Sequence, residues 1–128
     1  MVVNGENIVF DAYHINGNNY FKLRDLAFTL NGTGKQFDVS WDEAANAIHL
    51  TSGYPYTTVG GEMEAKGSGA KIATPTIPKV FLDGKEAPLT AYHIAGNNYF
   101  KLRDIGEAFD FSVDWIEESS TIIIDTMN

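Results

Sequence analysis

Hydrophobic and polar positions alternate in short runs along this chain, and the period changes at fixed places. Short β-prone runs flank Asn4-Gly5 and Asp83-Gly84, the strongest short hairpin signal, because both residues of a type I′ turn need positive φ. A second run ends at Asn16-Gly17, and Ala95-Gly96 holds the same place later in the chain. The period then becomes helical: Tyr20, Leu23, Leu26, Ala27 and Leu30 share one face, as do Tyr99, Leu102, Ile105 and Phe109. Asn18-Asn19 and Asn97-Asn98 are placed to cap the first turn of each helix, and Gly32 to stop the first helix. Strict alternation follows. Phe37, Val39 and Trp41 share a face, Phe111, Val113 and Trp115 repeat it, and burial of both tryptophans is expected. Ile48-His49-Leu50 and Ile122-Ile123-Ile124 begin closing strands.

The pattern occurs twice because the chain is a duplication. Residues 12–26 and 91–105 differ only at Asn16/Ala95 and Leu26/Ile105. The first copy carries extra residues around Asn31–Lys35. Each copy reads β-β-α-β-β, which predicts an α+β fold in which each copy packs an antiparallel sheet on one helix. The division is 1–52 for the first repeat, 53–78 for a Gly/Ser/Thr/Pro-rich segment, and 79–128 for the second repeat. The middle segment includes Gly60-Gly61 and Gly67-Ser68-Gly69. It reads as a linker, or as an arm that buries Tyr54, Tyr56, Val59 and Met63. A core of about 50 residues is marginal alone, so the copies are expected to pack together.

Composition narrows the function. Seventeen acidic against nine basic residues give a formal net charge of -8, which disfavours nucleic acid and anionic membrane surfaces as partners. No apolar stretch is long enough to span a bilayer, so no membrane insertion is expected. The absence of cysteine removes disulfides, thiol nucleophiles and cysteine metal sites. The N-terminus lacks the pattern of a signal peptide, so the chain reads as cytosolic or as a fragment of a larger exported protein.

The candidate chemistry is sparse. Asn19-Tyr20 and Asn98-Tyr99 resemble the setting of a self-processed quinone cofactor. Yet Asn16 stands where a threonine is required, Phe21 stands where an acid is required, and no His-x-His accompanies them. His14 and His93 are equivalent, but two imidazoles leave a metal shell incomplete. Asp25 and Asp104 each neighbour an arginine, Arg24 and Arg103, and have no nucleophile beside them. Phosphate-binding loops, nucleophile elbows and zincin motifs are absent. No catalytic residue, metal or cofactor is therefore assigned. The remaining candidates are aromatic. Tyr13, Phe21, Tyr92 and Phe100 are the candidate binding residues, since exposed rings stack on sugars or peptides.

Tyr20-Phe21-Lys22-Leu23-Arg24-Asp25-Leu26-Ala27, Phe37-Asp38-Val39-Ser40-Trp41-Asp42 and Ala47-Ile48-His49-Leu50 resemble the copper amine oxidase N-terminal domain-like (stalk) family. The second copy carries the same signature through Tyr99, Leu102-Arg103-Asp104, Val113-Asp114-Trp115 and Thr121-Ile122-Ile123-Ile124. The resemblance implies a non-catalytic extracellular stalk or interaction module of a larger cell-surface or secreted protein of Gram-positive bacteria. Its partners would be fused domains, with self-association an added option. The alternative is a module that binds glycan or cell wall through exposed aromatic residues.

Overall fold

The computed structural model describes residues 1–10, 12–63, 71–76, 79–87, 89–116, 118 and 121–126. In the first copy, β1 (Val2–Val3) and β2 (Glu6–Asn7) flank the Asn4-Gly5 turn. Strands β3 (Tyr13–Ile15) and β4 (Asn18–Lys22) flank Asn16-Gly17, and α1 (Leu23–Leu30) follows without a break. Strands β5 (Phe37–Asp42) and β6 (Ala47–Ser52) close the copy. Strand β7 (Ala73–Thr76) belongs to the connecting segment. The second copy repeats the order with β8 (Lys79–Leu82), β9 (Lys85–Glu86), β10 (Ala91–Ile94), β11 (Asn97–Lys101), α2 (Leu102–Phe109), β12 (Ser112–Ile116) and β13 (Thr121–Asp125). Among the described residues the fold is mostly-β α+β, with two short helices and three sheets.

Strand pairing departs from the sequence expectation. The copies do not each make their own antiparallel sheet. The sheet orders are β12-β13-β1-β2, β3-β4-β11-β10-β7 and β5-β6-β8-β9. The first hairpin of each copy thus lies on the closing strand of the other, and both of these pairings are parallel. Val3 lies opposite Ile124, and Leu82 opposite Leu50. A parallel pair of strands needs a long crossover, which accounts for the connection between β6 and β8. On the way that connection adds β7 to the edge of the central sheet. The Gly67-Ser68-Gly69 run of the connection lies outside the described residues.

The exchanged hairpins are held alike at both ends of the molecule. Asn4 and Gly5 have φ of 49° and 85°, and Asp83 and Gly84 have 51° and 85°, as the turn type requires. The same residues also latch onto the other copy. Asn4 donates its backbone N–H to the Ile124 carbonyl, and Asp83 donates to the Leu50 carbonyl, both at 2.9 Å. The Asn4 side chain accepts the Thr126 N–H and donates to the Thr126 hydroxyl. The Asp83 carboxylate accepts both the N–H and the hydroxyl of Ser52. Val3 and Val80 carry the hairpins into the core. Full burial of such a side chain contributes about 1.5–3 kcal/mol.

The helices begin later than the spacing predicts. Asn18–Lys22 and Asn97–Lys101 are strand, and neither helix has a side-chain N-cap. The asparagines therefore do not cap. Tyr20 keeps helical spacing to Leu23 by coincidence, because a strand also buries residues on both faces when both are covered. Phe21 and Phe100 face the main core, while Tyr20 and Tyr99 face the opposite side of the sheet. The main core joins the copies: the rings of Phe37 and Phe109 stack at 4.2 Å between centroids. The chain leaves α1 at Asn31, which is extended, and Gly32, with a φ of 87°, belongs to the turn that follows, closed by the Thr33 N–H on the Leu30 carbonyl.

Candidate functional site: twin clefts built by both copies

The central pairing places the repeated block. Phe21 stands opposite Phe100, Tyr20 opposite Lys101 and Lys22 opposite Tyr99, so the register reads the same from either copy. Phe21 and Phe100 are each 1% exposed, which removes them as binding residues: both lie in the shared core. Tyr13 and Tyr92 are half-buried and face the reverse side of the sheet. There Tyr13 packs edge-on against Tyr99, and Tyr92 edge-on against Tyr20. Burial, then Tyr92 and Asp104, pushes the Tyr20 phenol above its ordinary pKa. These four rings pack against one another on the reverse side of the sheet.

Both tryptophans are exposed, contrary to the burial expected from their alternation, as are Phe28 and Tyr54. Trp41 is 53% exposed and Trp115 is 49% exposed. Alternation assigned the face correctly, since Phe37 and Val39 are buried on β5. It did not give the footprint of the helix. An eight-residue helix is about 12 Å long, whereas a six-residue strand spans about 20 Å. The last inward position of the strand therefore runs past the layer above it.

Each tryptophan stands at a cleft whose opposite wall comes from the other copy. The Trp115 cleft has a volume of about 320 Å³. Its second-copy wall includes Lys101, Leu102, Arg103, Val113 and Ile122, and the first copy supplies His14, Asn18 and Asn19. The Trp41 cleft has a volume of about 260 Å³. Its first-copy wall includes Lys22, Leu23, Arg24, Val39 and Ile48, and the second copy supplies Asn97 and Asn98. Apart from His14, whose counterpart His93 does not line the Trp41 cleft, these residues correspond in the duplication. The block repeated most faithfully is thus the one that lines both clefts. Two further depressions, at β9 against α2 and beside Asp83 and Asp110, present no exposed ring.

The polar side chains are held in place. Both arginines of the chain line the clefts. Arg103 donates to the Val113 carbonyl and Arg24 to the Tyr56 hydroxyl, each at 3.3 Å. Both of these partners are neutral groups, and the Tyr56 hydroxyl is itself bonded to the Glu62 carboxylate. His14 Nδ1 lies 3.1 Å from the Asn19 carboxamide oxygen. An exposed indole beside a guanidinium and a pair of carboxamides is suited to stacking on a ring while bonding its hydroxyl or acyl groups.

The connecting segment supports the Trp41 cleft from behind. Tyr56 is buried against the first copy, with its N–H on the Asn31 side chain and its hydroxyl on Glu62. Glu62 also accepts the Val59 and Gly60 N–H groups. The Tyr56 hydroxyl, then the backbone N–H groups, hold the Glu62 carboxyl down at about 2. Burial, then Glu62, raises the Tyr56 phenol, while Arg24 lowers it in part. Asp25 is buried, accepts the Met63 N–H and lies 3.8 Å from the Lys22 ammonium. Asp104 accepts the Thr90 N–H. Both aspartates thus anchor chain segments, and Leu23 and Leu102 are core residues beside them.

The histidine pair does not converge. His14 lies on β3 and His93 on β10, with β4 and β11 between them. Three strand spacings put them on the order of 14 Å apart. Among the described residues no group of three or more His, Cys, Asp or Glu is placed to hold a metal ion. Comparison with known protein families, curated proteins and solved structures finds no significant match to this chain.

Proposed function

We propose that the chain is a non-catalytic, glycan-binding module of a larger bacterial cell-surface or secreted protein, of the stalk-like kind its repeated motifs resemble. Cell-wall glycan is the ligand, and fused domains are the other partners. The observation that carries the reading is the pair of half-exposed indoles, Trp41 and Trp115, each beside an arginine of one copy and an asparagine pair of the other. The binding rings differ from those the sequence singled out, because Phe21 and Phe100 are core. A passive spacer is the competing reading, favoured by the burial of Tyr20, Phe21, Tyr99 and Phe100.

Co-sedimentation with purified Gram-positive sacculi at about 0.15 M salt separates the two, since charge effects are short-ranged there. The chain is expected to pellet, and the double variant Trp41→Ala/Trp115→Ala to remain in the supernatant. A wild-type chain that stays in solution would leave the spacer reading.

A further inference from the structure

The central sheet is asymmetric although the strands that build it are duplicates. On the second-copy side, β7 covers β10. It pairs antiparallel, with Ala73 opposite Ile94, Thr74 opposite His93, Pro75 opposite Tyr92 and Thr76 opposite Ala91. On the first-copy side, β3 ends the sheet, and among the described residues no strand pairs with its outer edge. Yet the two edges have the same sequence, since Ala12-Tyr13-His14-Ile15 recurs as Ala91-Tyr92-His93-Ile94. Their burial differs. Ala91 and Ile94 are buried, whereas Ala12 and Ile15 are half-buried. Ala73 packs against the small core that holds Ile94, and no described strand sets a counterpart of Ala73 beside Ile15.

The backbone of β3 is aimed to receive such a strand. Ile15 and Asn18 close the two-residue Asn16-Gly17 turn, so they form a hydrogen-bonded pair, and the next pair, His14 and Asn19, does not. The His14 N–H and carbonyl therefore point outward, as those of His93 do toward Thr74. Pro75 obeys the same alternation, because it faces Tyr92 where the ladder needs no N–H.

We infer that the β3 edge docks an extended peptide segment of a partner protein, added antiparallel in the register that β7 takes on β10. The segment is small and uncharged, of the Ala-Thr-Pro-Thr kind. Its first threonine exchanges hydrogen bonds with His14, its proline lies beside Tyr13, and its alanine covers Ile15. A second copy of the chain does not supply it. Moving β7 onto a neighbour's β3 empties the β10 edge it came from, and pairing β3 with β3 brings together two chains of formal net charge -8. With the added strand, the sheet order becomes symmetric about the β4–β11 pair.

The test uses the intact ¹⁵N-labelled chain and a synthetic, end-capped peptide with the sequence of residues 71–78, Lys-Ile-Ala-Thr-Pro-Thr-Ile-Pro. The peptide is expected to move the His14 and Ile15 amide signals, with half-saturation at roughly millimolar concentration, as suits a short segment ordered on binding. Near saturation it is expected to slow hydrogen exchange of the His14 amide by about 10-fold. A control peptide with proline in place of the first threonine lacks the N–H that the His14 carbonyl accepts, and is expected to move neither signal. His14→Pro removes the outward N–H without breaking a ladder bond to β4, and is expected to abolish the response to the first peptide while the spectrum stays dispersed. No movement of His14 and Ile15 with the first peptide, or equal movement with both peptides, would overturn the inference. Movement at His93 and Ile94 instead would mean displacement of β7 and would also overturn it. So would movement of the β3 signals on concentrating the chain alone, which makes a second copy the occupant.

Discussion

At the residue scale, one methyl group separates a pair of equivalent positions in the two helices. Ala27 of α1 and Gly106 of α2 are equivalent and both buried. A Cβ at Gly106 would lie 2.9 Å from Val113 Cγ2 and 3.2 Å from the Phe111 carbonyl oxygen. The cause is the shorter second copy. It lacks the Asn31–Lys35 insertion, so Asp110 reverses the chain at a φ of 58° and Phe111 donates its N–H straight back to the Gly106 carbonyl. Gly106→Ala is therefore expected to destabilise the protein by about 1–3 kcal/mol in urea unfolding, despite alanine's better helix propensity. A gain in stability would mean that the second copy does not close so tightly. The tryptophans teach a related lesson. Their alternation with Phe37 and Phe111 shows which face they occupy, but exposure depends on how far the neighbouring layer reaches, and a single strand does not encode that.

The exchanged hairpin is the element that joins the copies, and its two versions differ in charge. The Asn4 latch does not titrate. The Asp83 carboxyl is held below its ordinary value of 3.8 by the Ser52 hydroxyl first and the Ser52 N–H second. A carboxyl lowered by folding stabilises the native state above its unfolded pKa, and that contribution is lost as pH falls through the folded value. Hydrogen exchange at β8 and β9 is therefore expected to accelerate below about pH 3.8 relative to exchange at β1 and β2. Asp83→Asn should reduce that difference. Equal acid sensitivity of the two hairpins would contradict the latch. The turns themselves were legible, because Asn-Gly and Asp-Gly impose positive φ at both positions. Their partner strands were not. The closing strands of both copies are short and aliphatic, so pairing within or between copies satisfies the same pattern. The strand at Asn18–Lys22 is not legible from spacing for a related reason, since its residues fit either period over so short a span.

At the scale of the whole molecule, the repeat is the means by which a small chain obtains two composite clefts. Neither cleft exists within one copy: each needs the asparagine pair of one and the Lys-Leu-Arg and Val-x-Trp segments of the other. The sequence showed the duplication, the repeated residues and the absence of catalytic motifs. It could not show that the faithfully repeated block faces itself across a central strand pair, because that juxtaposition comes from the antiparallel register of β4 and β11. The most direct test of this account is the ¹H–¹⁵N spectrum of the intact chain during titration with peptide-free glycan strands from a Gram-positive wall. Both indole N–H signals are expected to move, together with the side-chain amides of Asn18, Asn19, Asn97 and Asn98. Indole signals that stay in place, or that move without the asparagine amides of the opposite copy, would contradict it.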